Sequence, residues 1–229
     1  MAANDLNQLE KLAIDKYEKG QFSASARAFE KLAARQNGYA LPHFYLSLLY
    51  FRKGELAAAL TQSKIVLRID GAMPNARLNL GCIYEKMGNV NLAIRYYKAE
   101  LVDKPACPQA LFNLGYICFQ RHRFRHACLY LEKCLRMRHS LEEVGPMLAF
   151  IYSQTTHKEP EKEIEMYKRY LESNAESSWA LQNLGAAFMD LSKFNLALVY
   201  LRKAKQLTPN DAIIQRNIDR IAAIKKING

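Results

Sequence analysis

Ala76-Arg-Leu-Asn-Leu-Gly-Cys-Ile-Tyr84 and Ala110-Leu-Phe-Asn-Leu-Gly-Tyr-Ile-Cys118 are two versions of one nine-residue stretch, set 34 residues apart. A third version, Ala180-Leu-Gln-Asn-Leu-Gly-Ala-Ala-Phe188, begins 70 residues after the second, which is two periods plus two residues. Repetition at such a period marks an array of supersecondary units, each burying its apolar face against its neighbours.

The period runs outward in both directions. One leucine recurs as Leu12, Leu46, Leu80, Leu114, Leu148 and Leu184, each followed by a small residue: Ala13, Ser47, Gly81, Gly115, Ala149 and Gly185. Three residues after the small one stand Tyr50, Tyr84, Cys118, Tyr152 and Phe188, with Lys16 departing in the first copy. A second small position follows at Ser25, Ala59, Ala93, Ala127 and Ala197. Four residues after it come Phe29, Tyr97, Leu131, Tyr167 and Leu201, with Ser63 as the exception.

Small residues let two helix backbones approach closely. Bulky residues three and four apart lie on one helix face and fill the facing groove. Gly20, Gly54 and Gly88 suit the left-handed conformation that ends a helix. Pro74 and Pro108 suit a helix's first turn. The pattern predicts an all-α array of six helix–turn–helix repeats within one domain, at 6–39, 40–73, 74–107, 108–141, 142–177 and 178–211. The fifth is irregular. It has two extra residues, placed around Thr155–Pro160, Glu163 at the second small position, and Gly145-Pro146 interrupting its first helix. Residues 212–227 read as a closing amphipathic helix with Ile214, Ile218, Ile221 and Ile224 on one face, capping the array.

The motif Leu80-Gly81, Tyr84, Gly88, Ala93, Tyr97, Pro105 resembles the tetratricopeptide-repeat family, and the resemblance covers residues 6–211. It implies a right-handed superhelical solenoid whose concave groove, lined by the first helix of each repeat, holds peptides or protein segments. Mapped through the family's groove positions, Phe44, Leu48, Leu78, Cys82, Phe112 and Tyr116 form an apolar, aromatic trough over repeats 2 to 4, joined by Phe51 and Phe119. Asn79, Asn113 and Asn183 recur at the position where some peptide-binding members present an amide to a ligand backbone. The Lys and Asn residues with which other members clamp chaperone C-terminal carboxylates are absent. Repeat 1 has Glu10 and Ile14 in their place, and repeat 2 has Phe44 and Leu48. A chaperone tail is therefore not the expected ligand.

Lys and Arg number 33 against 22 Asp and Glu, a net charge of +11. Arg121, Arg123 and Arg125 crowd one turn, and Arg136 and Arg138 end the same repeat, a candidate basic patch for nucleic acid or an acidic surface. The 34-residue period and apolar face argue against the RNA-reading helical repeats. Five cysteines without paired spacing point to a reducing compartment rather than a disulfide framework. The first residues show no secretory signal, and no apolar run is long enough to span a membrane. A cytoplasmic location is expected. Neither a metal centre nor a cofactor is expected, although His122 and His126 stand four residues apart. No phosphate loop, nucleophile elbow or dinucleotide fingerprint occurs.

The expected function is non-enzymatic: an adaptor, chaperone or scaffold that binds an apolar or amphipathic segment of another protein. The alternatives are an anion-binding surface on repeat 4 and a self-associating scaffold.

Overall fold

The computed structural model describes residues 2–36, 38–137, 141–154 and 159–227. Among these residues there are thirteen α-helices and no strand. The chain divides into two compact units, Met1–Ala110 and Leu111–Gly229. In the first, α1 (Ala2–Glu18) packs on α2 (Phe22–Arg35), α3 (Ala40–Lys53) on α4 (Leu56–Ile69), and α5 (Ala76–Lys86) on α6 (Val90–Asp103). Two of the second helices also pack on the next first helix, α2 on α3 and α4 on α5.

The second unit takes most of α7 (Pro108–Gln120), then α8 (Phe124–Arg136), α9 (Leu141–Gln154), α10 (Pro160–Ser173), α11 (Ser178–Asp190), α12 (Phe194–Leu207) and α13 (Ala212–Ile227). Here α9 packs on α8 and α10, α11 on α10 and α12, and α13 on α12.

In repeats 3, 4 and 6 the small residue of the first helix sits under the bulky residue of its partner. A methyl group built on Gly81 would lie 2.4 Å from the Tyr97 ring. On Gly115 it would meet Leu131 at 2.7 Å, and on Gly185 it would meet Leu201 at 2.7 Å. Tyr97, Leu131 and Leu201 are completely buried. Gly81→Ala is therefore expected to destabilise the first unit. Overpacking of about 3 kcal/mol outweighs a helix-propensity gain of about 1 kcal/mol, leaving a net loss of about 2 kcal/mol, read from the urea midpoint.

The exception at Ser63 has a polar explanation. The Ser47 and Ser63 hydroxyls lie 2.6 Å apart in the same space, and Ser47 donates to the Ala59 carbonyl at 3.0 Å. Asn79, from the next repeat, donates its amide to Ser47 Oγ at 2.8 Å and to Ser63 Oγ at 3.1 Å. Small side chains and a shared hydrogen-bond network replace a ring and a glycine.

The helix–helix turn repeats as closely as the packing. Glu55 N–H bonds the Tyr50 carbonyl at 2.9 Å, Arg123 the Cys118 carbonyl at 2.9 Å, and Lys193 the Phe188 carbonyl at 2.9 Å. The residue before each donor has a left-handed backbone: Gly54 at φ 80°, His122 at φ 54° and Ser192 at φ 56°. Repeats 4 and 6 thus force a side chain into the conformation that glycine adopts freely in repeat 2.

Three details differ from the sequence reading. Leu12 is 46% exposed, whereas its five counterparts are 3% exposed or less. Among the described residues no second helix precedes α1 to cover it. Gly145-Pro146 does not interrupt the fifth repeat, because α9 runs unbroken from Leu141 to Gln154. Pro146 lacks the N–H that would bond the Glu142 carbonyl, yet the helix continues through it. Glu163 is buried at 7% exposed yet α10 still packs on α9. The turn assigned to the two extra residues falls mostly on 155–158, outside the described residues.

The closing helix behaves as a cap. Asp211 Oδ1 accepts from the backbone N–H groups of Ile213 at 2.8 Å and Ile214 at 3.2 Å, starting α13. Ile214 and Ile221 are fully buried, Ile218 and Ile224 half-buried. Lys225 Nζ donates to Asn195 Oδ1 at 2.7 Å.

Candidate functional site

The residues assigned to an apolar trough behave differently in the two units. In the first, Phe44, Leu48, Leu78 and Cys82 are each half-buried. Phe44 packs on the cluster of Ala40, Val66 and Ala76, and its ring meets Tyr45 edge-on at 5.9 Å. Much of this surface is already spent on the fold. Asn79 lies in the interior at 7% exposed with its amide engaged by Ser47 and Ser63, so it is not placed to pair with a ligand backbone.

The second unit exposes more aromatic area. Phe112 and Tyr116, four residues apart on α7, stack with centroids 6.2 Å apart, and Tyr116 is 38% exposed. One turn on, Phe119 meets Phe150 of α9 edge-on at 5.5 Å, and Phe124 at the start of α8 touches both rings at about 6 Å. Phe150 is 41% exposed. On α11, Trp179 is 46% exposed and meets Tyr167 and Tyr170 edge-on at 5.6 and 6.2 Å. Such edge-to-face contacts fix the rings while leaving their outer faces open. Asn113 is half-buried on α7. Asn183 is also half-buried and donates to the Trp179 carbonyl at 2.8 Å, one turn back on its own helix.

Phe150 and Trp179 were missed by the sequence reading. Each occupies a groove-type position of its repeat, the ninth of repeat 5 and the second of repeat 6. Extending the mapping past repeat 4 would have found both.

The basic residues do not converge into one patch. Arg121, Arg123 and Arg125 are exposed around the α7–α8 turn, where the His122 ring stands edge-on to Phe124 at 5.7 Å. Arg136 is exposed at the other end of α8, about 16 Å along the helix axis from Arg125. Arg138 lies outside the described residues. Arg123 sits at the N-cap of α8, whose first turn carries no acidic residue. Cations there oppose the positive end of the helix dipole.

Comparison with known proteins fits this architecture. Tetratricopeptide-repeat models match residues 10–72, 78–133 and 180–211. The chain belongs to the tetratricopeptide-repeat family. The matched stretches bracket residues 134–179, which contain the irregular fifth repeat of this tetratricopeptide-repeat chain. A curated relative is the anaphase-promoting complex subunit CDC16 of Saccharomyces cerevisiae, 25% identical over 197 residues. The match takes in 84% of this chain but 24% of CDC16, so the chain spans about a quarter of that relative's length.

Among solved structures, YrrB, described as a tetratricopeptide-repeat protein with an unusual peptide-binding site, is 18% identical with a TM-score of 0.71. That likeness covers 83% of this chain and 97% of YrrB. The C-terminal part of a repeat protein from Cytophaga hutchinsonii is 19% identical with a TM-score of 0.70, covering 95% of this chain and 88% of its own. At these identities the likeness concerns the fold. Among the described residues no helix is long and apolar enough to cross a membrane.

Proposed function

We propose that this chain is a non-catalytic interaction module whose aromatic first-helix face in the second unit holds an apolar or amphipathic segment of another protein. The observation that carries this reading is the outward exposure of Tyr116, Phe150 and Trp179 on α7, α9 and α11. Each ring is braced edge-on or by stacking against a neighbour. Rigid, half-exposed aromatic residues are the side chains that dominate binding energies at protein interfaces. The peptide-binding description attached to YrrB and the membership of CDC16 in a multi-subunit complex agree with a scaffold role.

The test is a binding titration with an identified partner segment. Tyr116→Ala and Phe150→Ala are each expected to weaken binding about tenfold or more, with helix content unchanged. Unchanged affinity in both variants would remove this face from consideration.

A second reading is favoured by the cations around the α8 N-terminus: an anionic partner seated on Arg121, Arg123 and Arg125. Binding to a generic oligonucleotide that falls steeply with salt would select it.

A further inference from the structure

We propose that the open side of the first helix pair is a docking site for an acidic amphipathic helix of a partner protein. This surface is formed by α1 and α2 and is separate from the aromatic face of the second unit. It is a groove of about 360 Å³ with Leu9, Leu12 and Ala28 in its floor. Ala24, Lys16, Arg27 and Lys31 line it as well, and no acidic residue does.

Two observations define the occupant. The first is apolar. Leu12 holds the place of the leucine that a second helix covers in the interior of the array, and there it is 3% exposed or less. In repeat 1 the same leucine is retained but 46% exposed. A helix presenting apolar side chains at a spacing of three and four residues would cover this exposed leucine.

The second is electrostatic. Lys16 replaces the aromatic residue found at this position in most other repeats, and Arg27 and Lys31 lie one turn apart on α2. None of the three has an acidic partner among the described residues. Three unpaired cations around an apolar strip match a helix with Asp and Glu flanking its apolar stripe. A second copy of this chain offering its terminal helix would bring like charges together, because α13 exposes Arg216, Arg220 and Lys226.

The experiment uses the full chain and a labelled synthetic peptide of about 18 residues, roughly five helical turns, with leucines at helical spacing and glutamates beside them. Two controls carry lysines in place of the glutamates, or the acidic composition with the spacing scrambled. The acidic amphipathic peptide is expected to bind and the two controls at least tenfold more weakly. Arg27→Glu with Lys31→Glu should weaken the acidic peptide at least tenfold and strengthen the lysine version.

Leu12→Glu should also weaken it at least tenfold. Arg27 and Lys31 are exposed, so the charge reversal reads the surface even if Leu12→Glu perturbs α1. Equal binding of the acidic and basic peptides, or unchanged affinity after charge reversal, would overturn the proposal. So would a concentration-dependent dimer in sedimentation that Leu12→Glu dissolves, which would give the surface to a second copy. Loss of the aromatic-face interaction in Tyr116→Ala leaves this measurement untouched, so the two readings fail separately.

Discussion

Tyr97→Ala is expected to cost the first unit about 4 kcal/mol, within the range for deleting a fully buried ring. Tyr97 is completely buried, fills the space over Gly81, and donates its hydroxyl to Glu85 Oε2 at 2.5 Å. Truncation leaves a cavity between α5 and α6 and removes the hydrogen bond to Glu85. A urea titration followed by circular dichroism measures the loss. The companion experiment is sharper. Gly81→Leu, strongly destabilising with the ring present, should restore about 1 kcal/mol or more in the Tyr97→Ala background, because the new side chain enters the vacated space. Additive destabilisation in the double variant would show that the two positions do not share that space.

A larger collective effect is expected in alkali. Tyr97, Tyr152 and Tyr167 are 0%, 4% and 3% exposed. Burial raises each phenol well above its ordinary value of 10. The Cys82 thiol and Glu85 add to this at Tyr97, a hydrogen bond to Glu132 at Tyr152, and the charge of Glu163 at Tyr167. The unfolded chain releases these protons from about pH 10 while the folded chain keeps them. The native state then binds more protons, and stability falls as pH rises. Each phenol contributes about 1.4 kcal/mol per pH unit above pH 10, so Tyr97 removes about 1.4 kcal/mol per unit from the first unit and Tyr152 with Tyr167 about 3 kcal/mol per unit from the second. Tyrosinate absorbance and helix content, followed together, test this. These phenols should ionise only as the helix signal disappears. Full ionisation near pH 10 with the helices intact would contradict it.

The fold was legible because its signals are redundant. A glycine at 81 means little alone. A small residue at 13, 47, 81, 115, 149 and 185 means that two backbones approach closely in every repeat. Gly81 under Tyr97 and Gly115 under Leu131 are that expectation in atoms.

The candidate site was less legible, because a groove position states only which way a residue faces. Whether it stays open depends on its neighbours. Phe44 is drawn onto Val66 and Ala76, and Asn79 is drawn inward by two serine hydroxyls, one of them supplied by the irregular residue Ser63. Phe150, behind an apparently helix-breaking Gly-Pro pair, proved to sit on an intact helix. Leu12 repeats a core pattern yet is 46% exposed.

The Ser47, Ser63 and Asn79 network bears on how such arrays can be recombined. Five of the six repeats pair a small residue on the first helix with a bulky apolar or aromatic one on the second, and such contacts tolerate the exchange of one repeat for another. The second repeat does not, and its Ser47 and Ser63 are tied to Asn79 of the third. Excising residues 40–73, or placing residues 74–107 behind any other copy, would leave the Asn79 amide facing an apolar wall, at a cost of about 1–3 kcal/mol for the stranded donors. Duplication or deletion of single repeats within this stretch is therefore penalised, and the two are best shuffled as one 68-residue cassette, 40–107.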